Sequence, residues 1–184
     1  MNKPNQIRTI MNIDKDYFDF LSNNFISYDN AHNHLHNRGE YFKSVNSSFI
    51  VHNFKVTKIN EFVKFKKKSK HLLDKLKNLY GPGEIFNLQL SKINQDGIIL
   101  PHIDHGLDFV FSHRIHIPLV TNENVVFTIN KKKYNLLCKK VYEINNLMEH
   151  SVKNKSEFDR IHLILDYISC EYIPFVKPPN SKYL

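Results

Sequence analysis

The stretch Gly81–Ile93, GPGEIFNLQLSKI, separates two kinds of sequence in this 184-residue chain. Gly-Pro-Gly breaks the helical pattern before it. Ile85–Ile93 then alternates apolar and polar residues as a half-buried strand does. After a turn at Asn94–Gly97 come further strand-like runs at His113–Leu119, Val125–Ile129, Tyr134–Leu137, Val141–Ile144 and Arg160–Ile168. Many short strands joined by polar turns predict a mainly β fold with flanking helices, closed as a barrel or jelly roll.

Upstream of the breaker the chain reads as mixed and partly helical. Asp14–Phe25 (DKDYFDFLSNNF) spaces its apolar residues for a short helix behind an Asp cap. Residues 61–79 are the second helix candidate, with Phe65, Leu72, Leu73 and Leu76 on one face. The expected organisation is a single domain in three regions. Residues 1–80 form a mixed N-terminal region packing on the core and possible substrate side, 81–173 a β core, and 174–184 an irregular, proline-rich tail.

Composition narrows the function classes. Hydrophobic content of 41% with 12% aromatics suits a folded domain. No apolar run is long enough to span a bilayer, and MNKPNQIRTIM lacks a signal-peptide core. The two cysteines, Cys138 and Cys170, form no C-x-x-C pattern, which fits a reducing, cytoplasmic setting. A formal charge of +8 raises nucleic-acid binding as a possibility. Much of the excess lies in Lys64–Lys77, read as a solvated helix face, and in Lys131–Lys133, read as a hairpin tip. No stacking or groove-reading motif accompanies it, so nucleic acid is the weaker reading.

Chemistry concentrates in Leu100–Gly106, LPHIDHG. An H-x-D triplet arises easily by chance in a chain with 11 His, so it needs support from elsewhere. On a strand end, residues i and i+2 share a face, which aims His102 and Asp104 at one point. One more imidazole from a distant strand would complete a three-ligand face on ferrous iron, leaving positions open for a chelating co-substrate and dioxygen. Several histidines could supply it. His150 follows after several intervening strands, whereas His105 points to the opposite face. His32, His34 and His36 lack a nearby carboxylate and read as an exposed loop or substrate-side rim. RIHIPL (114–119) and RIHLIL (160–165) each place Arg and His on one face and aliphatics on the other. An Arg turned into a barrel needs an anion, and a guanidinium forks onto a carboxylate. Iron with an inward Arg is what a dicarboxylate such as 2-oxoglutarate requires.

Taken in order, PHIDH, HRIHIPLVTN, VYEINN, HSVKN and RIHLILD resemble the aspartyl/asparaginyl β-hydroxylase family of Fe(II)/2-oxoglutarate dioxygenases, over residues 88–167. Asp104 places the chain nearer the branch with an acidic ligand, similar to free amino-acid (proline-type) hydroxylases. The resemblance implies a double-stranded β-helix, cupin-like, with His102, Asp104 and His150 on the iron. It implies Arg160 on the distal carboxylate of 2-oxoglutarate, Arg114 and His116 lining the same pocket, and Ser151 and His162 as lesser members of that shell. The implied reaction consumes O2, decarboxylates 2-oxoglutarate to succinate and carbon dioxide, and hydroxylates an amino-acid side chain, free or in a peptide or protein. The chain departs from the family pattern at Cys138-Lys139-Lys140, where a glycine is usual, and at Tyr142, where Trp is common. Two other readings stand beside this one: a non-catalytic, metal-binding cupin-like protein, which has no use for Arg160, and a basic nucleic-acid-associated oxygenase.

Overall fold

The computed structural model describes residues 3–26 and 45–176. His32, His34 and His36 lie outside the described residues, as does the tail beyond Val176.

Two antiparallel sheets form a double-stranded β-helix. The elements are β1 (Ile7–Asn12), α1 (Lys15–Phe25), β2 (Val45–His52), β3 (Lys55–Val56), α2 (Ile59–Lys68), α3 (Lys70–Tyr80), β4 (Gly83–Ile93) and β5 (Ile98–His102). There follow α4 (Leu107–Phe111), β6 (Ser112–Val120), β7 (Val125–Ile129), β8 (Lys132–Tyr134), β9 (Lys140–Ile144), β10 (His150–Asn154), β11 (Arg160–Ser169) and α5 (Ile173–Val176). The larger sheet runs β1-β9-β6-β11-β4-β2-β3, and the smaller β5-β10-β7-β8. The sheet crosses the boundary expected near residue 80: β1 pairs with β9, and β2 with β4.

Strand alternation gives the larger sheet two different faces. On β11, Ile161, Leu163, Leu165 and Tyr167 join an apolar cluster with Leu21, Phe25, Phe65, Leu72 and Leu76 of the three long helices. Arg160 and Ile164 instead line a cavity between the sheets. A second cluster, including Ile93, Phe127, Ile129, Ile144 and Val152, fills the rest of the sandwich. The helices therefore brace the far side of the sheet that carries the cavity, and their lysines face solvent there.

Local chemistry explains the element ends. The Asp14 carboxylate accepts from the Tyr17 backbone N–H at 2.7 Å and caps α1. Asp14→Ala is expected to cost about 1 kcal/mol, read as a lower urea midpoint at unchanged slope. The helix expected over 61–79 is two helices broken at Ser69, whose buried hydroxyl accepts from the Tyr17 hydroxyl at 2.6 Å. β7 and β8 meet through Asn130 and Lys131, with φ of 46° and 66°. Two left-handed residues form the tight hairpin that matches strand twist, with the lysines at its tip. The strand expected at Tyr134–Leu137 ends instead at Tyr134. The Asn135 side chain binds the Asn122 and Val125 carbonyls there, and Leu136 turns into the core. Lys139, near the family's usual glycine, has φ 60°, the left-handed conformation that glycine adopts most readily.

Candidate active site

β5 and β10 pair antiparallel with His102 directly opposite His150. Their rings lie 4.2 Å apart between centroids. β5 is the outer strand of its sheet, which tolerates Pro101 and its missing backbone donor. Two residues beyond β5, Asp104 is held by its backbone N–H donating to the Asn146 carbonyl at 3.1 Å. One ligand atom from each of His102, Asp104 and His150 falls within 4.8 Å of the others. Each histidine Nδ1 meets a carbonyl oxygen, Leu100 at 2.8 Å and Met148 at 2.9 Å. Those bonds place the proton on Nδ1 and leave each Nε2 lone pair for a metal. Burial lowers the His150 pKa to about 4, so it is neutral at pH 7. This nitrogen and oxygen donor set suits ferrous iron.

Asp104 is kept anionic. Burial alone would raise its pKa, but the neighbouring Arg114 guanidinium, with a hydrogen bond from Asn146, holds it well below the usual carboxylate range. Arg114 donates to Asp104 Oδ2 at 2.7 Å and forks onto Asp166 at 2.9 and 3.0 Å. Asp166 also accepts from Asn87 at 3.0 Å. Arg114 thus ties a buried carboxylate on β11 to one beside the two histidines. Asn146 donates to Asp104 Oδ2 at 3.1 Å and accepts from Lys3 at 2.9 Å. Lys3 also donates to the Phe109 and Ser112 carbonyls. Asn146→Ala removes an orienting bond, and iron affinity should fall about 10-fold, measured by metal titration under anaerobic conditions.

The triad opens on a cavity of 580 Å³ that Arg160 also lines. Arg160 is 1% exposed, and among the described residues no carboxylate pairs with it. Its Nε has no partner, and one terminal nitrogen lies 2.6 Å from His162 Nδ1. Burial pushes its pKa down to about 9, still high enough to keep it charged at neutral pH. A buried cation without a counter-ion is costly, and an anion entering this cavity would relieve it. A model of the aspartyl/asparaginyl β-hydroxylases matches residues 13–169.

The chain belongs to the aspartyl/asparaginyl β-hydroxylase family. It is an iron(II)- and 2-oxoglutarate-dependent hydroxylase that uses dioxygen. No curated protein sequence matches this hydroxylase. Among solved structures, it is similar to a prolyl hydroxylase from Trichoplax adhaerens in complex with a hypoxia-inducible-factor peptide. That pair shares 9% identity at TM-score 0.66, over 95% of this chain and 88% of the other. HygX from Streptomyces hygroscopicus, with nickel, 2-oxoglutarate and hygromycin B bound, gives 10% identity at TM-score 0.63 over 90% and 83%. The viral collagen prolyl hydroxylase of Paramecium bursaria Chlorella virus-1 gives 11% identity at 0.56 over 89% and 96%. At these identities the likeness is one of fold.

Of the residues singled out in the sequence, His102, Asp104, His150, Arg114, His116 and Arg160 all line the hydroxylase's cavity. His162 sits behind Arg160 and touches it, while His105 is exposed. Ser151 is not among the lining residues: it alternates with His150 on β10, which turns it to the other side. Arg114 faces the cavity but spends its donors on Asp104 and Asp166. Sequence reasoning missed Asn87, Gln89 and Ser91, which alternate along the cavity face of β4 beside β11. Their spacing in FNLQLSKI was the available signal. It also missed the roles of Asp166, Asn146 and Lys3, since partners on separate strands carry no local pattern.

Proposed function

We propose that His102, Asp104 and His150 hold the iron, that Arg160 receives the distal carboxylate of 2-oxoglutarate, and that the substrate is an amino-acid side chain, free or within a peptide. One observation carries this reading: the cavity joins three convergent candidate metal-ligand atoms to a buried guanidinium that has no carboxylate partner among the described residues. A dicarboxylate would span the two, with its oxo-acid end toward the metal ligands and its distal carboxylate on Arg160. Bound iron supplies activation of dioxygen, coupling 2-oxoglutarate decarboxylation to insertion of one oxygen atom into a C–H bond. The protein's part is to present two Nε2 lone pairs, keep Asp104 anionic and exclude water with Phe127, Ile144, Val152 and Ile164. Arg114 and His116 line the same cavity.

The substrate class is supported by the family's aspartyl and asparaginyl chemistry. A cavity of 580 Å³ lies within the range of small-molecule sites and admits the co-substrate with a side chain. Among similar structures, one holds a peptide and another hygromycin B. Among the described residues no helix is long and apolar enough to cross a membrane. Cys138 and Cys170 are both free thiols, which supports a reducing location, the cytoplasm.

The test supplies wild-type protein with Fe(II), ascorbate and 2-oxoglutarate, then screens free amino acids and peptides for stimulated succinate release. Slow succinate formation is expected without substrate, and a rise with the true one. Absence of both, with no 2-oxoglutarate binding, would overturn the reading.

A further inference from the structure

Behind Arg160 lies a short chain of buried donors and acceptors that metal binding does not need. His162 follows Arg160 by two residues on β11 and shares its face. Its Nδ1 lies 2.6 Å from an Arg160 terminal nitrogen and 3.2 Å from His116 Nδ1. A guanidinium only donates, so His162 Nδ1 must carry a lone pair and its proton must sit on Nε2. The same lone pair faces His116 Nδ1, which therefore carries the proton on its own ring. Both histidines are buried and neutral, and each leaves its Nε2 without a hydrogen-bond partner. Two donors thus converge on one acceptor, and that acceptor is the only hydrogen-bond partner Arg160 has among the described residues.

We propose that His162 is a positioning residue for co-substrate binding: its Nδ1 lone pair holds the Arg160 guanidinium in the orientation that receives a carboxylate. The proposal rests on the reading of Arg160 given above. A long side chain free to rotate would lose orientational entropy on binding, whereas one already held by an acceptor loses less. His162 Nδ1 takes only one of the five guanidinium N–H donors, so a pair of parallel N–H groups remains for the ligand carboxylate. Arg160 and Ser91 line the cavity whereas His162 does not, so His162 reaches the ligand only through the guanidinium.

The experiment compares His162→Leu, which lacks an acceptor, with His162→Asn, whose side-chain oxygen can occupy the place of Nδ1. Affinities for 2-oxoglutarate and for 2-oxobutanoate, which has no distal carboxylate, are measured by anaerobic calorimetry on the Mn(II)-loaded protein. His162→Leu should weaken 2-oxoglutarate about 10-fold, the scale of a hydrogen bond to a charged group. His162→Asn should recover most of that loss, and 2-oxobutanoate should bind all three proteins alike. Turnover at saturating 2-oxoglutarate should stay within about 2-fold of wild type, so that the loss appears in KM. Equal losses for both oxo acids, or no difference between the Leu and Asn variants, would overturn the proposal. If the Leu variant does not fold, nitrogen NMR of the wild-type ring decides: Nδ1 should be unprotonated, and a proton there contradicts the role. An Arg160→Ala variant with undiminished 2-oxoglutarate affinity would instead defeat the underlying reading, which separates the two failures.

Discussion

His150→Ala is expected to abolish succinate formation. The imidazole is buried opposite His102, and its Nδ1 is committed to the Met148 carbonyl. The residue offers one of three ligand atoms that lie within 4.8 Å of one another, and Nε2 is the ring nitrogen left free. Loss of an orienting partner alone typically costs 10–100-fold in metal affinity, so loss of a proposed ligand should cost at least about 100-fold. Iron titration under anaerobic conditions reads this directly, and succinate assays should fall to background. The substitution should also change the acid limb of stability in the metal-free protein. The His150 pKa is about 4 when folded against an ordinary 6.5, so the unfolded chain binds the extra proton between those values. Stability from this group is therefore present above pH 6.5 and lost as pH falls towards 4. His150→Ala should flatten that part of the profile, measured as urea midpoints across the window.

Arg160→Met should separate binding from stability. Removing the partner of a buried carboxylate costs about 2–5 kcal/mol, so 2-oxoglutarate affinity should fall by roughly 30-fold or more. The same change should raise the melting temperature of the protein free of 2-oxoglutarate. There Arg160 is a buried cation with no carboxylate partner among the described residues, and an apolar chain of similar length removes its desolvation cost. Wild-type protein should gain thermal stability when 2-oxoglutarate and metal are added, and the variant should gain much less. A variant that is less stable without ligand, and binds as well as wild type, would show Arg160 to be a structural residue.

Much of this site was legible in the sequence because its parts lie on strands with strict alternation. RIHIPL and RIHLIL place Arg114, His116, Arg160 and His162 on one face, and the adjacent strands β6 and β11 turn that face to the cavity. PHIDH suggested His102 and Asp104 as a pair by the same rule, although Asp104 lies beyond the end of β5 and is set by its backbone bond to Asn146. The helix behind Asp14 was readable from its cap, and β4, β6, β7, β9 and β11 from their apolar runs. β1 and β2 were hidden because IRTIMN and VNSSFIVH carry no flanking turn signature, and β2 is buried on both faces. β10 was hidden by its polarity: HSVKN turns His150 and Asn154 inwards, so buried positions do not look apolar. The Ser69 break depends on a hydroxyl from α1, and the Arg114 bridge depends on the alignment that sets Asp166 against it. Both are tertiary facts, invisible to a reading of one segment at a time.

Anaerobic titration of the wild-type protein with Fe(II), followed by 2-oxoglutarate, tests the central claim most directly. One iron should bind, and 2-oxoglutarate should bind tightly only after it, both events disappearing when His102 and His150 are replaced together by alanine. Iron binding that survives the double replacement, or 2-oxoglutarate binding indifferent to iron, would contradict the account.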